Sequence, residues 1–408
     1  MPAQPQTQQN FAQEYAALEK KFNALKPEVE VVLKDEKEGI EGYLVVWNTG
    51  ISVGGPLEKS GKGGTRITPT VTLDEVKMLA RTMALKNAAA GLPLGGAKSG
   101  FKANPDAPDF EKKYRRFAQL MKPHLHENGG SYGGFGFDIG ARPIHPKWIC
   151  DELKSTRCFT GKPVEMGGTD YDKEGIAGLG VATAAHALLK TQHKKTQGAT
   201  FAVQGVGAMG AAVIRYFSEH GAVLKAISDP RYGGTYVFKD PPKPELIQAL
   251  SSMDSKKINE LLVLSNIEPT DAADVLYQKV DVLFPCAVHN VIRDDNVDKI
   301  KAKYVVEGAN GPTTDGARAK LQAQGIIVIP DFIANPGGII AAYVELTSKI
   351  TPEENAKTRA KVNEAKQITI ARITANIEKL MKLVQEQSID TVKAGRYMAY
   401  KNIFEGVK

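Results

Sequence analysis

A short apolar stretch, Thr200-Phe-Ala-Val-Gln204, runs directly into Gly205-Val-Gly-Ala-Met-Gly210 and then into a helical pattern reaching about residue 220. Nothing else in the chain restricts the fold as much. A strand that turns through spaced glycines into a helix is the opening of a βαβ unit. Gly205 suits the tight turn, Gly207 leaves the backbone open to close approach, and Gly210 lets the helix pack on the sheet. The next strand pattern, residues 223–228, ends in Asp229, and further apolar strands are expected at 280–284, 304–306 and 326–329. Strands alternating with helices predict a parallel, doubly wound sheet of the Rossmann type.

That context implies a dinucleotide. The pyrophosphate would meet the backbone at Gly205, Gly207, Ala208, Met209 and Gly210, where the N–H groups and dipole of a helix start favour an anion. Asp229, about twenty residues on, would accept hydrogen bonds from the adenosine ribose. Its charge opposes a 2′-phosphate, while Arg231 attracts one. NAD is therefore the expected cofactor, with NADP possible.

The first part of the chain has a different rhythm. Residues 1–10 read as disordered. Residues 11–26 have helical spacing, 29–33 and 42–47 read as strands, Thr72-Leu-Asp-Glu75 is a capping box, and 109–121 is a second helix. Strands and helices without βαβ alternation indicate an α+β domain. Beyond Gly338 the chain is strongly helical, with one helix over 352–387 and another over 390–404. A chain of 408 residues has length for two such domains.

Other classes fit poorly. A net charge of +7 is mild for this length, and the paired lysines are scattered without interleaved aromatics, which argues against nucleic acid. The longest apolar run, residues 175–189, is too short to span a bilayer and contains His186. No signal-peptide pattern opens the chain. Three cysteines, Cys150, Cys158 and Cys286, lack the spacing of a metal site or a disulfide framework, so a reducing, cytoplasmic setting is expected and no metal is assigned.

Lys98 lies in the glycine-rich stretch Leu92-Pro-Leu-Gly-Gly-Ala-Lys-Ser-Gly100, with Lys86 twelve residues earlier. A lysine crowded by other cations in a glycine-lined pocket loses affinity for its proton and can serve as a base.

These segments resemble the glutamate/leucine/phenylalanine/valine dehydrogenase family, its glutamate branch above all. The resemblance spans roughly residues 40–345. It rests on Lys62-Gly-Gly-Thr-Arg66, Lys86-Asn-Ala88, Pro93-Leu-Gly-Gly-Ala-Lys98, Asp138-Ile-Gly140, Gly205 to Gly210, Pro285-Cys-Ala287, Val306-Glu-Gly-Ala-Asn-Gly-Pro-Thr-Thr314 and Asn335-Pro-Gly-Gly338. It implies reversible oxidative deamination of an L-amino acid to a 2-oxo acid and ammonia with NAD(P). Lys98 would activate water and Asp138 would shuttle protons at nitrogen. Lys86 would hold the α-carboxylate, and Lys62, Gly64 and position 342 would line the substrate. Ala287, Asn290, Asn310 and Asn335 would line the nucleotide. A homo-oligomer, often a hexamer, is also implied. The first domain, residues 1–180 completed by C-terminal helices over 345–408, would bind substrate and oligomerise. Residues 181–344 would bind the dinucleotide.

Two positions depart from the glutamate branch, which places hydroxyls where this chain has Ala177 and Ala342. The lost donors point toward branches acting on apolar amino acids. Those branches, however, replace the lysine at position 62 with an apolar residue. A buried ammonium demands a partner, so Lys62 is expected to face a substrate carboxylate. The leading expectation is glutamate, against an apolar amino acid or a catalytically silent nucleotide-binding relative.

Overall fold

Two physical patterns build two units: strands apolar on both faces, and strands separated by crossover helices. The computed structural model describes residues 5–126 and 130–407. One unit comprises Gln4–Tyr171, Ile339–Ala365 and Arg396–Lys408; the other comprises Asp172–Gly338 and Lys366–Gly395.

The first unit contains helix α1 (Pro5–Ala24), strands β1 (Val29–Asp35), β2 (Ile40–Trp47), β3 (Gly61–Lys62) and β4 (Thr65–Thr68), helix α2 (Leu73–Ala89), β5 (Gly95–Lys102), α3 (Phe110–Met121), β6 (Phe135–Gly136), α4 (His145–Leu153) and β7 (Phe159–Thr160). β2 lies antiparallel between β1 and β5, and β3 and β4 both run parallel to β5. β2 sends Leu44 and Val46 to one face, where they pack with Phe101, Tyr114, Phe117 and Phe135. It sends Tyr43, Val45 and Trp47 to the other, against Val76, Ala80 and Ala84 of α2. Burying each large side chain contributes roughly 1.5–3 kcal/mol, which fixes β2 and β5 as the rigid centre. α1 begins at Pro5, so the expected disorder over residues 5–10 is replaced by helix; residues 1–4 lie outside the described residues. Glu75 N–H donates to the Thr72 hydroxyl at 3.2 Å and caps α2.

The second unit contains α5 (Ile176–Thr191), β8 (Thr200–Gln204), α6 (Ala208–Glu219), β9 (Val223–Asp229), β10 (Gly234–Val237), α7 (Pro244–Ser252), α8 (Ser255–Leu264), β11 (Val282–Pro285), β12 (Tyr304–Val306), α9 (Asp315–Ala323), β13 (Ile327–Ile329) and α10 (Asp331–Ala334). Its six-stranded sheet has the order β10-β9-β8-β11-β12-β13, parallel except for the edge strand β10. The order reverses between β8 and β11, and α/β sheets bind ligands outside the carboxyl ends of strands at such a switch point.

The remaining helices are α11 (Gly337–Thr347), α12 (Pro352–Thr358), α13 (Ala360–Gln387) and α14 (Thr391–Glu405). Two corrections follow. The helix expected over 352–387 breaks at Arg359, whose φ of 56° ends α12. The C-terminal helices do not all complete the first unit, because residues 366–395 group with the second. There Ile373 fills the space at Gly180, 2.7 Å from where a Cβ would stand, and the Thr391 hydroxyl donates to Val328 O at 2.5 Å. The end of α14 returns to the first unit, where the Tyr397 hydroxyl donates to Glu14 at 2.9 Å. Among the described residues no helix is long and apolar enough to cross a membrane.

Candidate active site

Lys98 stands on strand β5. β5 presents Gly96, Lys98 and Gly100 in alternation on the face covered by α2. A Cβ on Gly96 would lie 2.2 Å from Ala84 N of α2, and one on Gly100 would lie 2.6 Å from Val76. The glycines let the helix come down onto the strand, and Lys98 is trapped between them, 6% exposed. Its Nζ lies 2.8 Å from Asp138 Oδ2. Burial draws the Lys98 ammonium below its ordinary range, with Asp138 opposing that shift and Arg66 adding to it.

Arg66, quoted in the sequence as part of a motif but given no role there, completes this group. Its Nε donates to Asp138 Oδ2 at 3.0 Å and its Nη1 to Glu75 at 2.6 Å. Burial opposes the charge on Asp138, yet Lys98 and Arg66 outweigh it and hold the carboxyl below the usual range. Arg66 is thus a further cation crowding Lys98, and the Lys98 charge in turn disfavours the ammonium of Lys62. Lys86 itself lies half-buried in the last turn of α2. Next to it, the Asn87 side-chain amide donates to Lys62 O at 3.2 Å and Gly95 O at 2.7 Å, tying that turn to β3 and β5. Gly64 is needed by the fold, since a Cβ there would meet Phe137 O at 2.6 Å and Asp138 Cβ at 3.4 Å.

Lys62 is fully enclosed, and its partners correct the sequence argument. Its ammonium donates to Gly63 O at 2.7 Å, Gly134 O at 2.9 Å and Phe135 O at 3.3 Å. Three carbonyls satisfy three N–H bonds, so burial by itself does not require an anionic partner. Desolvation lowers the Lys62 ammonium to about 7, with the Glu345 charge partly offsetting it. Glu345 is a second residue the sequence reading missed. It lies on α11 one turn after the buried Ala342, and accepts from Lys162 Nζ at 2.8 Å, the Thr169 hydroxyl at 2.6 Å and the Thr169 N–H at 2.7 Å. Leu346, on the same stretch of helix, packs where a side chain on Gly133 would stand beside Lys62.

In the second unit the glycine loop leaves β8 and enters α6 at the switch point. Gly205 has φ 84°, and a Cβ on it would lie 2.8 Å from Ala287 Cβ, at the end of β11. A Cβ on Gly210 would lie 1.8 Å from Gly205 O, while one on Gly207 would meet nothing within 4 Å. The N-cap of α6 is Gly207, which has no side chain of its own to accept from the N–H groups at the start of the helix. Met209 packs against Gly308. Asn290 N–H donates to Gly311 O at 2.9 Å. The Asn335 amide donates to Gly308 O at 2.9 Å and to Asn310 Oδ1 at 3.2 Å.

Asp229 is engaged differently from the sequence expectation. Its carboxylate accepts from Val206 N–H at 2.9 Å, Arg231 N–H at 3.0 Å, and Arg231 Nε and Nη2 at 2.9 Å each. The Arg231 guanidinium, with these N–H groups, pulls it down to about 2. Four donors occupy a carboxylate's four lone-pair sites, so the position offers the surface less negative charge than a free aspartate.

A family model described as Glutamate/Leucine/Phenylalanine/Valine dehydrogenase matches residues 167–408, and one described as Glu/Leu/Phe/Val dehydrogenase, dimerisation domain, matches residues 24–155. The chain belongs to this dehydrogenase family. An NADP(+)-dependent glutamate dehydrogenase of Pyrobaculum calidifontis is 36% identical over 356 residues, covering 84% of this chain and 81% of that protein. An NADP-specific glutamate dehydrogenase of Saccharolobus shibatae is 33% identical over 353 residues, covering 81% and 79%. A hetero-hexameric glutamate dehydrogenase from Thermus thermophilus has the same fold, with TM-score 0.70 at 24% identity over 99% of this chain and 97% of that one. A dehydrogenase of this family needs a nicotinamide nucleotide, and the second unit fits one. The space beside Gly207 is open, and the buried Gln204 Oε1 and Asn335 Oδ1 have no hydrogen-bond partner among the described residues.

Proposed function

We propose that this dehydrogenase interconverts L-glutamate with 2-oxoglutarate and ammonia, and that it accepts NADP(H) as well as NAD(H). The observation that carries the reading is the buried Lys98–Asp138 pair at 2.8 Å, beside a second enclosed lysine, Lys62. The glutamate dehydrogenase relatives support the same substrate.

In the deaminating direction a bound nicotinamide, held at the Gly205–Gly210 loop, would supply the hydride acceptor for the substrate Cα, and the residues of the first unit handle water and protons at the resulting imine. Lys98, its proton affinity reduced by burial, takes a proton from water as that water adds to the imino carbon. Asp138 then delivers a proton to nitrogen, and ammonia departs as the 2-oxo acid forms. The 2.8 Å contact lets a proton pass between the two groups. Arg66 keeps Asp138 ionised until that step. Lys86 is assigned to the substrate α-carboxylate and Lys62 to the side-chain carboxylate. The nucleotide pyrophosphate is assigned to the Gly205–Gly210 loop, with Asn310 and Asn335 on the ribose side.

Cofactor choice departs from the first expectation. Arg231 saturates Asp229 and leaves its own guanidinium half-exposed, which lowers the barrier to a 2′-phosphate. The names of the two relatives favour NADP as well. A cytoplasmic homo-oligomer, a hexamer by resemblance, belongs to the same proposal.

Ala342 favours a second reading, a dehydrogenase for apolar amino acids. Reductive amination of 2-oxoglutarate and 4-methyl-2-oxopentanoate, in wild type and Lys62→Leu, separates the two. The glutamate reading expects wild type to prefer 2-oxoglutarate. It also expects Lys62→Leu to lose roughly 1.5–3 kcal/mol, about one to two orders of magnitude in kcat/KM, for that substrate alone. A wild-type preference for the branched oxo acid overturns it.

A further inference from the structure

We propose that Cys150 and Cys158 form a reversible disulfide, and that closing it alters the carbonyl cage around Lys62. Both side chains are buried thiols of the first unit, Cys150 on α4 and Cys158 in the turn before β7. Their sulfurs stand 3.8 Å apart, and the Cys158 thiol also lies 3.0 Å from Ser155 O, its acceptor. A disulfide bond is about 2.05 Å long, so closure needs an approach of under about 2 Å.

Buried thiols are ordinarily inert because oxidants do not reach them. Cys158, however, lines a cavity of about 170 Å³ together with Leu125, Gly134, Lys154, Ser155 and Arg157. That is the volume of several waters, enough for a peroxide. The Cys150 thiol is also held below its ordinary range by the Cys158 hydrogen bond, with the Lys162 charge reinforcing it. The third thiol, Cys286, is in the second unit, and burial pushes it well up.

The chemistry balances with hydrogen peroxide as oxidant. The Cys158 sulfur attacks one peroxide oxygen, the O–O bond breaks, and one water leaves as the sulfenic acid forms. The Cys150 sulfur then attacks the Cys158 sulfur, forming S–S and releasing a second water. Two thiols are oxidised by two electrons, and one peroxide is reduced to two waters.

The link to Lys62 is a single strand. Phe135 N–H donates to Cys158 O at 2.8 Å, and a Cβ on Gly134 would lie 2.6 Å from that same oxygen. Gly134 O and Phe135 O are two of the three acceptors of the Lys62 ammonium. Displacing Cys158 therefore moves the cage.

The experiment treats the full chain with hydrogen peroxide, then counts thiols and maps peptides by mass without reduction. The expected result is a fall from three free thiols to one, a Cys150–Cys158 linked peptide, and recovery with dithiothreitol. Three remaining thiols, a link to Cys286, or sulfinic acid without a link overturns the site. The coupling is read first without substrate, as the rate of reductive methylation of Lys62 by formaldehyde and cyanoborohydride. It should change by about threefold or more on oxidation, the effect of half a pKa unit. It should stay constant in peroxide-treated Cys150→Ala and, where that variant fails to fold, in Cys158→Ser. An unchanged labelling rate in the disulfide form overturns the coupling. The kinetic consequence rests on the glutamate reading: KM for 2-oxoglutarate should rise about tenfold on oxidation. If the enzyme does not turn over 2-oxoglutarate, that reading fails, while the thiol count and Lys62 labelling still decide this proposal.

Discussion

Gly96 in the first unit and Gly207 in the second are glycines for opposite reasons. In the first unit Gly63, Gly64 and Gly96 are required because the protein itself fills the space. Their Cβ atoms would lie 1.7 Å from Ala97 O, 2.6 Å from Phe137 O and 2.2 Å from Ala84 N. In the second unit Gly207 has ordinary extended backbone and nothing within 4 Å of its Cβ direction. The first set holds charged side chains in a closed, self-satisfied arrangement. Gly207 leaves the backbone at the start of α6 uncovered among the described residues. Glycine in a motif therefore carries two messages, and only the surrounding atoms distinguish them.

The largest expected effect tests that contrast directly. Gly96→Ala should destabilise the first unit by about 3 kcal/mol or more, because backbone atoms of α2 cannot yield as a side chain would. Gly207→Val should leave the thermal unfolding midpoint unchanged and yet lose NADPH binding, measured by nucleotide fluorescence. Equal midpoints for both variants, or full NADPH affinity in Gly207→Val, would break the comparison.

Lys98→Ala follows in size. It should lower kcat by about 10² or more, the scale of a positioned acid–base group, while NADPH affinity stays near wild type. A variant with near-normal kcat removes Lys98 from the chemistry.

A smaller effect comes from pH. Lys62 is protonated below about 7 and loses its charge above it. Raising the pH through that value should reduce the preference for 2-oxoglutarate over 4-methyl-2-oxopentanoate in kcat/KM, by up to about tenfold per pH unit. Discrimination that is flat from pH 6 to 9 would mean that the Lys62 charge does not read the side chain.

The smallest concerns the nucleotide surface. Arg231→Ala should restore the free charge of Asp229 and raise KM for NADPH by about fivefold, roughly one charge-assisted hydrogen bond at an exposed site. KM for NADH should change little. Equal changes for both nucleotides would show that Arg231 only holds the loop.

Much of the second unit was legible because its signals are local. Strand, glycine turn, helix and acidic residue all fall within about thirty residues, and the structure arranges them in that order. The engagement of Asp229 was not legible, since which way Arg231 turns depends on the short helical turn after β9. In the first unit β5 was not expected as a strand, because glycine suppresses strand propensity. Its two faces are set by α2 and α3, which no short window reveals. Glu345 pairs with Lys162, 183 residues away, and no spacing rule connects them. The break at Arg359 carries no glycine or proline to announce it. Arg66 was within reach of the sequence, since it stands two residues after Gly64 in the Lys62–Arg66 motif.

The three carbonyls around Lys62 do for its ammonium what a hydration shell does in water. The fold strips that shell away once, while the chain collapses. A carboxylate that reaches Lys62 meets a charge with no solvent left to reorganise, so little of the binding free energy is spent on dehydration. Such a charge is also shielded from dissolved ions, which screen exposed pairs far more than enclosed ones. Selectivity built on it should hold steady as ionic strength varies, whereas attraction to the open nucleotide surface should weaken.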